Sequence, residues 1–207
     1  MTPKIETAEK PVIACFTPGT KIATLKGEVP IENLVAGDRV VTRDNGVKVI
    51  RWTGQKKIDW RTMASNPHLK PVLLRQGSLG KDLPERDLMV SPNHRILVAN
   101  DRTALQFDEA EVLVAAKHLI CGIPVRSIDS IGTTYIHFLF DQHEVVLSDG
   151  IWTESFQPTD TSLKGFGNSQ RAEIFEIFPS LQSAEGKAAF GAARKTLTRK
   201  EASQLAD

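Results

Sequence analysis

The sequence predicts an all-β domain with a small helical appendage at its C-terminal end. Between Val12 and Phe156, short runs of apolar and β-branched residues alternate with glycines. The dipeptide Asn45-Gly46 is a tight-turn signal between two of these runs. After Phe156 the strand pattern stops and segments with helical character follow. Many short strands separated by frequent turn signals are typical of all-β architecture.

The elements follow one another in short steps along the chain. Residues 1–11 are polar and charged and predict a loose N-terminal tail. Two helical stretches interrupt the strands: a single turn over 30–35, before Gly37, and a helix over 109–117, where apolar residues recur at helical spacing. Strands are predicted at 22–25, 39–42, 47–52, 71–75, 87–90, 95–98, 123–126, 134–140 and 143–147.

The C-terminal appendage, residues 157–207, differs in character from the domain over 12–156. Residues 157–170 are rich in Thr, Ser, Gly and Asn and predict a loop. A helix is predicted over 172–178, stopped by Pro179, and one or two helices over 188–206 with Thr198 as an N-cap. Two interpretations stay open: a helical appendage packed on the β domain, or a separate interaction element.

Composition excludes several classes of function. The 207 residues suit one domain with an appendage, and 26 basic against 25 acidic residues give a net charge of +1. This balance predicts neither nucleic acid nor a membrane surface as a partner. We find no apolar run of a signal peptide and no stretch of about 18 apolar residues. We therefore expect a soluble protein of undetermined compartment. Two cysteines are too few for a disulfide scaffold, so thiols are expected.

Cys15 lies close to the N-terminus, which makes the amide bond between Ala14 and Cys15 an available substrate. A cysteine thiolate can attack the carbonyl of its own upstream amide and move the acyl group from nitrogen to sulfur. Intramolecular placement alone can lower such a barrier by about 7–11 kcal/mol. The sequence therefore predicts Ala14–Cys15 as the scissile bond and Cys15 as its nucleophile.

The departing amide nitrogen needs a proton, and histidine is the usual donor near neutral pH. His94 fits this role, because the run 91–94 predicts a turn between two apolar strands. Ser91, three residues earlier, is predicted to hydrogen-bond the scissile peptide or to orient the imidazole. His137 and His143 lie in the last predicted strand pair. We predict His143 as a second catalytic group and His137 as a possible cleft residue.

Structural interpretations compete with each of these roles. Cys15 could be a small buried hydrophobe, and His94 an exposed turn residue. Cys15, His94 and His143 could hold Zn²⁺ if they converge, although we predict neither a metal nor a cofactor. Asp38 is predicted to stabilise a turn. Cys121 is expected to be packed, and Trp52, Trp60 and Trp152 to form core or cleft walls.

Three blocks of sequence belong together in one known family. The block 15–42 carries the cysteine and a Gly37-Asp38 turn, 87–98 carries Ser91 and His94, and 135–150 forms the late strand pair. Together they resemble the Hint domain, the self-processing module of hedgehog proteins and inteins, and most of all its bacterial hedgehog-type subgroup. The resemblance spans residues 14–156, with Ser91 where the family has threonine. It implies a horseshoe of short strands with the active centre in a central cleft.

The end of the domain departs from the intein pattern. Inteins end in His-Asn followed by a nucleophile, and asparagine cyclisation frees their C-terminal junction. Here the corresponding position holds Glu154 and Ser155, so splicing is not expected. Hedgehog proteins also use an aspartate to transfer the thioester to cholesterol. Asp59, Asp82 and Asp87 are candidates that do not align clearly, and we keep Asp87 as a possible cleft residue.

The sequence therefore predicts a single-turnover, cysteine-dependent autoprotease. Its substrate is the covalently attached upstream segment, and its second reactant is a small nucleophile: water, a thiol or an amine. Three alternatives remain open: a non-cleaving Hint-fold binding or scaffold module, transfer of the upstream segment to an external nucleophile, and a cysteine hydrolase that acts on other molecules.

Overall fold

The computed structural model of the protein describes residues 14–205, so the predicted tail over 1–11 lies outside the described residues. The described chain is mostly β-structure, as predicted, with short helices concentrated at its C-terminal end. The strands are β1 (Lys21–Thr24), β2 (Gly27–Pro30), β3 (Arg39–Val41), β4 (Val47–Val49), β5 (Trp52–Asp59), β6 (Val72–Leu74), β7 (Leu88–Val90), β8 (Arg95–Val98), β9 (Val112–Ala115), β10 (Val125–Ser127), β11 (Gly132–Leu139), β12 (Val145–Ser148) and β13 (Ile151–Glu154).

The helices are short. They are α1 (Trp60–Ser65), α2 (Asp101–Phe107), α3 (Asp160–Leu163), α4 (Asn168–Ile177), α5 (Ala184–Ala189) and α6 (Arg199–Ala202). Single 3-10 turns lie at Ile31–Asn33, Pro67–Leu69, Ala116–His118 and Pro179–Gln182. No helix in the range 14–205 has the length and apolar character needed to span a bilayer.

The strands form one large curled sheet and two small ones. The large sheet has eight strands in the order β4-β3-β1-β12-β13-β8-β9, with β2 paired to β1. The small sheets are β10-β6-β7 and the long pair β11-β5. The main core lies between these sheets, where Phe16, Ile22, Val90 and Phe138 are among the buried residues. Residues from both ends of the domain therefore meet in one core.

The pairing of β5 with β11 depends on a glycine. Gly54 lies directly opposite His137 in the antiparallel register. A Cβ atom at Gly54 would come within 2.7 Å of His137 Nε2 and 2.2 Å of the Trp52 ring. Only glycine leaves room for both rings on this face of the pair.

Several predicted elements are wrong in their type or bounds. The helix predicted over 109–117 is strand β9, because Val112, Leu113 and Val114 are all buried and a short apolar run buried on both faces has no strand alternation. The helix instead precedes it, as α2, with a capping box at Asn100. The strand predicted over 47–52 is split between β4 and β5.

Two predictions about the environment of single residues are also wrong. Trp60 is 58% exposed, because it begins helix α1 at the surface instead of forming a core or cleft wall. Cys121 is exposed and not packed. The prediction for Asp38 is confirmed, since its carboxylate accepts a hydrogen bond of 2.9 Å from the Val35 amide.

The C-terminal appendage packs on the β domain. The loop predicted over 157–170 contains helix α3 and the start of α4, because Thr159 forms a capping box that the count of turn residues did not reveal. Thr198 is confirmed as an N-cap, accepting from the Glu201 amide. A second buried cluster joins the two parts, with Trp52, Leu139 and Phe156 from the domain and Leu163, Phe166, Ile174, Leu181 and Phe190 from the appendage.

Candidate functional site

The backbone of Cys15 is held at the end of β7. Its amide nitrogen, the leaving group of the predicted scissile bond, donates a 3.0 Å hydrogen bond to Ser91 Oγ. The Ser91 amide donates in return to the Cys15 carbonyl at 2.9 Å. Phe16 and Ile136 exchange two backbone hydrogen bonds of 2.8 and 2.9 Å. The first residues after the Ala14–Cys15 bond are thus clamped between β7 and β11.

The thiol of Cys15 is buried and faces an imidazole. Its Sγ lies 3.5 Å from His137 Nδ1, and the residue is 2% exposed. Burial is the main influence on the pKa of Cys15 and raises it far above its ordinary value; the Ser91 hydrogen bond opposes this increase. The Glu154 charge raises the pKa further and the Lys56 charge lowers it. Cys15 is therefore a neutral thiol at neutral pH and needs a base to become a nucleophile.

His137 is the imidazole that faces the thiol. Burial, with a smaller contribution from the Lys56 charge, lowers the pKa of His137 to about 3, so the imidazole is neutral but a weak base, and proton transfer to it must accompany the attack of the sulfur. Its ring stacks on Trp52 at 5.4 Å between centroids and meets the edge of Phe166 at 4.7 Å. Phe156 lies 5.7 Å away. Within residues 14–205, Nε2 has no hydrogen-bond partner.

His94 packs against Phe16, the residue that follows Cys15. Its ring packs at 4.3 Å and 60° against Phe16, and its amide closes the turn by donating to the Ser91 carbonyl. Neither ring nitrogen has a hydrogen-bond partner among the described residues. Burial lowers the pKa of His94 to about 4, although the Glu154 charge opposes the shift. A buried imidazole with two unpaired nitrogens is uncommon and calls for a functional explanation.

Glu154 is the centre of a buried ionic network. Its carboxylate accepts hydrogen bonds from the Arg95 amide at 2.8 Å and from Arg95 Nη1 at 3.0 Å. His143 Nε2 lies 3.1 Å from the same carboxylate, while His143 Nδ1 accepts from the Ala193 amide at 2.9 Å. That acceptor contact leaves the ring hydrogen on Nε2, which donates to Glu154. Burial would raise the pKa of Glu154, but the Arg95 charge and the His143 hydrogen bond outweigh it and hold the pKa below its usual range.

The thiol opens onto a cavity of about 290 Å³. Of the predicted site residues, Cys15, Ser91 and His137 meet at this cavity. His94, His143 and Asp87 are not among the described residues that line it. Asp87 is exposed, and its carboxylate accepts from the Gln76 amide. The other lining residues are Lys56, Ile58, Asn66, His68, Leu69, Pro92, Asn93, Tyr135 and Gly165.

Sequence reasoning missed the groups that surround His137. Lys56, Tyr135 and Phe166 carry no local motif, and only the pairing of distant segments brings them to the thiol. A bend at residues 141–142 separates His137 from His143, and the two rings contact different groups. The described chain contains no group of three or more His, Cys, Asp or Glu residues that could hold a metal ion, so Cys15, His94 and His143 do not form the zinc set considered above.

The fold and the clamped cysteine define a self-processing domain. The family model of the Hint domain matches residues 14–160, which is most of the chain. The chain therefore belongs to the Hint domain family, whose substrate is a flanking segment of the same polypeptide. A search of curated proteins finds no match.

Solved structures of intein-like domains are similar to this chain at low sequence identity. The bacterial intein-like domain from Clostridium thermocellum is 18% identical, with a TM-score of 0.44, covering 68% of this chain and 97% of that domain. A DnaB intein from Synechocystis is 12% identical, with a TM-score of 0.41, covering 69% of this chain and 98% of the intein. The gp41-1 intein is 12% identical, with a TM-score of 0.39, covering 68% and 97% respectively.

Proposed function

We propose that the protein cleaves its own Ala14–Cys15 bond by an N-to-S acyl shift, without splicing. The observation that carries the proposal is the 3.5 Å approach of Cys15 Sγ to His137 Nδ1. His137 Nδ1 takes the thiol proton, and Sγ attacks the Ala14 carbonyl carbon. The carbon–nitrogen bond then breaks, and the cationic form of His94 gives its proton to the departing nitrogen. The products are a thioester on Cys15 and a free α-amino group on the same residue.

A small nucleophile completes the reaction. Water, a thiol or an amine attacks the Ala14 carbonyl, takes the upstream segment and regenerates the Cys15 thiol. Ser91 Oγ accepts from the leaving nitrogen and keeps the peptide in register with the attacking sulfur. Glu154 acts at a distance from the thiol, because its charge raises the pKa of His94, and His143 holds the Glu154 carboxylate by a hydrogen bond. Position 154 holds glutamate and not asparagine, so the proposed reaction does not include asparagine cyclisation, the second half of splicing.

The proposal is tested with purified intact protein. Dithiothreitol or hydroxylamine is added, and the products are weighed by mass spectrometry; we expect scission at Ala14–Cys15. Cys15→Ala is expected to abolish it, whereas Cys121→Ser, at the exposed second thiol, should cleave at the wild-type rate. The proposal is wrong if no fragment forms, or if Cys15→Ala forms the same fragment.

A second candidate function is a non-cleaving binding or scaffold module with the same fold. The raised pKa of the buried Cys15 thiol favours it, because a thiol that stays protonated does not attack unaided. The same experiment separates the two functions. Intact mass after prolonged incubation with hydroxylamine, in protein that remains folded, would support the non-cleaving module.

Removal of the Ser91 hydroxyl is expected to slow cleavage moderately. Ser91→Ala deletes the acceptor of the Cys15 amide, and a neutral hydrogen bond contributes about 0.5–1.5 kcal/mol. This corresponds to a rate about 2–10 times lower. Ser91→Thr keeps the hydroxyl and should stay close to the wild-type rate. The rates are measured by gel or mass spectrometry at saturating dithiothreitol, and equal rates for the alanine and threonine variants would contradict the role of Ser91.

A further inference from the structure

We propose that Phe166 is a positioning residue for His137, so that the C-terminal appendage forms part of the catalytic centre. The Hint match ends at residue 160, and Phe166 follows it. The proposal rests on the function proposed above, in which His137 takes the proton of Cys15. It extends that function to a segment for which the family match implies no role.

Aromatic rings, and not hydrogen bonds, hold the His137 imidazole. Its one hydrogen-bond contact is the Cys15 thiol, and Nε2 is unpaired within the described part of the chain. Phe166 meets the imidazole at 4.7 Å and 71°, closer than either Trp52 or Phe156. Without ring contacts the imidazole could rotate about its side-chain torsions and move Nδ1 away from Sγ. Phe166 therefore helps to set the direction in which His137 accepts the proton.

Phe166 is itself held in place by Trp52 and Phe156, the two other rings that contact His137. It meets Trp52 at 5.7 Å and 89°, and Phe156 at 5.1 Å and 86°. Edge-to-face geometry of this kind is the favoured arrangement of aromatic pairs. The rings of Trp52, Phe156 and Phe166 thus fix the orientation of the His137 imidazole.

Hydrogen bonds fasten the appendage to β5 on both sides of Phe166. Lys56 Nζ donates to the Gly165 carbonyl at 3.2 Å, and Gly165 lines the cavity beside the thiol. Trp52 Nε1 donates to Glu173 at 3.0 Å, and Gln170 Nε2 donates to the Gln55 carbonyl at 3.2 Å. These contacts join helix α4 and the residues before it to the strand that pairs with His137. The segment is therefore seated against the site by specific contacts.

A double-mutant cycle on the full chain tests the proposal. Phe166→Leu, His137→Gln and the double variant are compared by their rate of cleavage at saturating dithiothreitol and by their unfolding midpoint in urea. Misplacement of a reacting group by about 1 Å can cost about 100-fold, so we expect Phe166→Leu to slow cleavage by about 10- to 100-fold. In the His137→Gln background we expect Phe166→Leu to change the rate less than twofold, because the group that it positions is gone.

Phe190→Leu is the matched control. Phe190 lies in the same buried cluster at 8% exposure, against 5% for Phe166, and its ring contact is with Phe178. The Phe190→Leu variant should lower the urea unfolding midpoint about as much as Phe166→Leu does. Its cleavage rate should equal that of the wild-type protein. Should Phe166→Leu fail to fold, Phe166→Met, which is unbranched and adaptable, takes its place in the cycle.

Three outcomes would overturn the proposal. Equal slowing by Phe166→Leu in both backgrounds, or equal slowing by Phe190→Leu, would reduce Phe166 to a packing residue. A wild-type rate for Phe166→Leu, with Cys15→Ala inactive, would refute the role of Phe166 and leave the proposed function intact. If the wild-type protein does not cleave at all, the proposed function fails and this inference fails with it.

Discussion

Replacement of His94 by glutamine is expected to slow cleavage at Ala14–Cys15 by about 10²–10⁴-fold, the usual contribution of a general acid. His94 is buried against Phe16, one residue beyond the scissile bond, and no other described group uses its ring nitrogens. Glutamine keeps a polar side chain but cannot carry the proton. The measurement is the cleavage rate at saturating dithiothreitol. His118→Gln, at a half-buried histidine in the 3-10 turn after β9, serves as the control and should not change that rate.

The pH dependence follows from the lowered pKa of His94. With a pKa of about 4, only a small fraction of His94 is cationic at pH 7, and this fraction rises about tenfold for each unit of decreasing pH. His137, with a pKa of about 3, stays neutral over the same range, so its protonation state does not contribute to the pH dependence. We therefore expect wild-type cleavage to be slow at pH 7 and to accelerate toward pH 5.

The His94→Gln variant should lose this acid acceleration. A wild-type rate that rises with pH between 5 and 8 would contradict the assignment of His94 as the acid, since the thiolate of Cys15 would then limit the reaction. Rates are compared only where circular dichroism shows the folded protein, so that acid unfolding is not mistaken for catalysis.

Replacement of Glu154 by alanine is expected to destabilise the fold by about 3–5 kcal/mol, the cost of removing one partner from a buried ionic network. Glu154 is 1% exposed and accepts from both Arg95 and His143. Its removal leaves the Arg95 guanidinium and the His143 N–H without their buried acceptor. The free energy of unfolding is measured with urea at pH 7. Glu154→Gln retains an acceptor oxygen and should lose less.

The stabilisation by Glu154 depends on pH in a defined direction. The folded-state pKa of Glu154 is lowered, so its contribution is present above the unfolded-state pKa of about 4.3 and is lost as the pH falls through the folded-state value. The gap in stability between wild type and Glu154→Gln should therefore narrow below about pH 4.

Glu144→Gln is the matched control for the buried carboxylate. Glu144 is also 1% exposed, but its side-chain partners are the amides of Asn45 and Gln142. Because no cation loses its partner, Glu144→Gln should cost less than Glu154→Gln, the same substitution at the carboxylate that pairs with Arg95. Equal losses at the two positions would show that burial of a carboxylate, and not its pairing with Arg95, carries the effect.

Local patterns identified most strands but not every element. The turn at Asn45-Gly46 and the N-cap at Thr198 were readable because their signals lie within a few residues. Strand β9 was misread as a helix because a short apolar run buried on both faces has no alternation. Whether such a run becomes a strand depends on its neighbours in the sheet, here β8.

In the candidate site, too, some contacts follow from local motifs and others only from tertiary packing. The motif around Ser91 predicted a contact with the scissile peptide, and Ser91 Oγ lies 3.0 Å from the Cys15 nitrogen. Nothing near His137 in the sequence distinguishes it from His143, the residue predicted from the sequence as the second catalytic group. The structure puts His137 beside the thiol and ties both nitrogens of His143 to Glu154 and Ala193.

The sequence by itself determined the family, the strand-rich class and the separate motifs that carry Cys15 and Ser91, because each of these signals lies in contiguous residues. The tertiary structure alone decided which histidine faces Cys15, since that contact joins residues 122 positions apart. It also decided that Phe166 packs against His137. The physical reason is that the β5–β11 pairing and the burial of aromatic rings bring these groups together, and both act between segments that are remote in the chain.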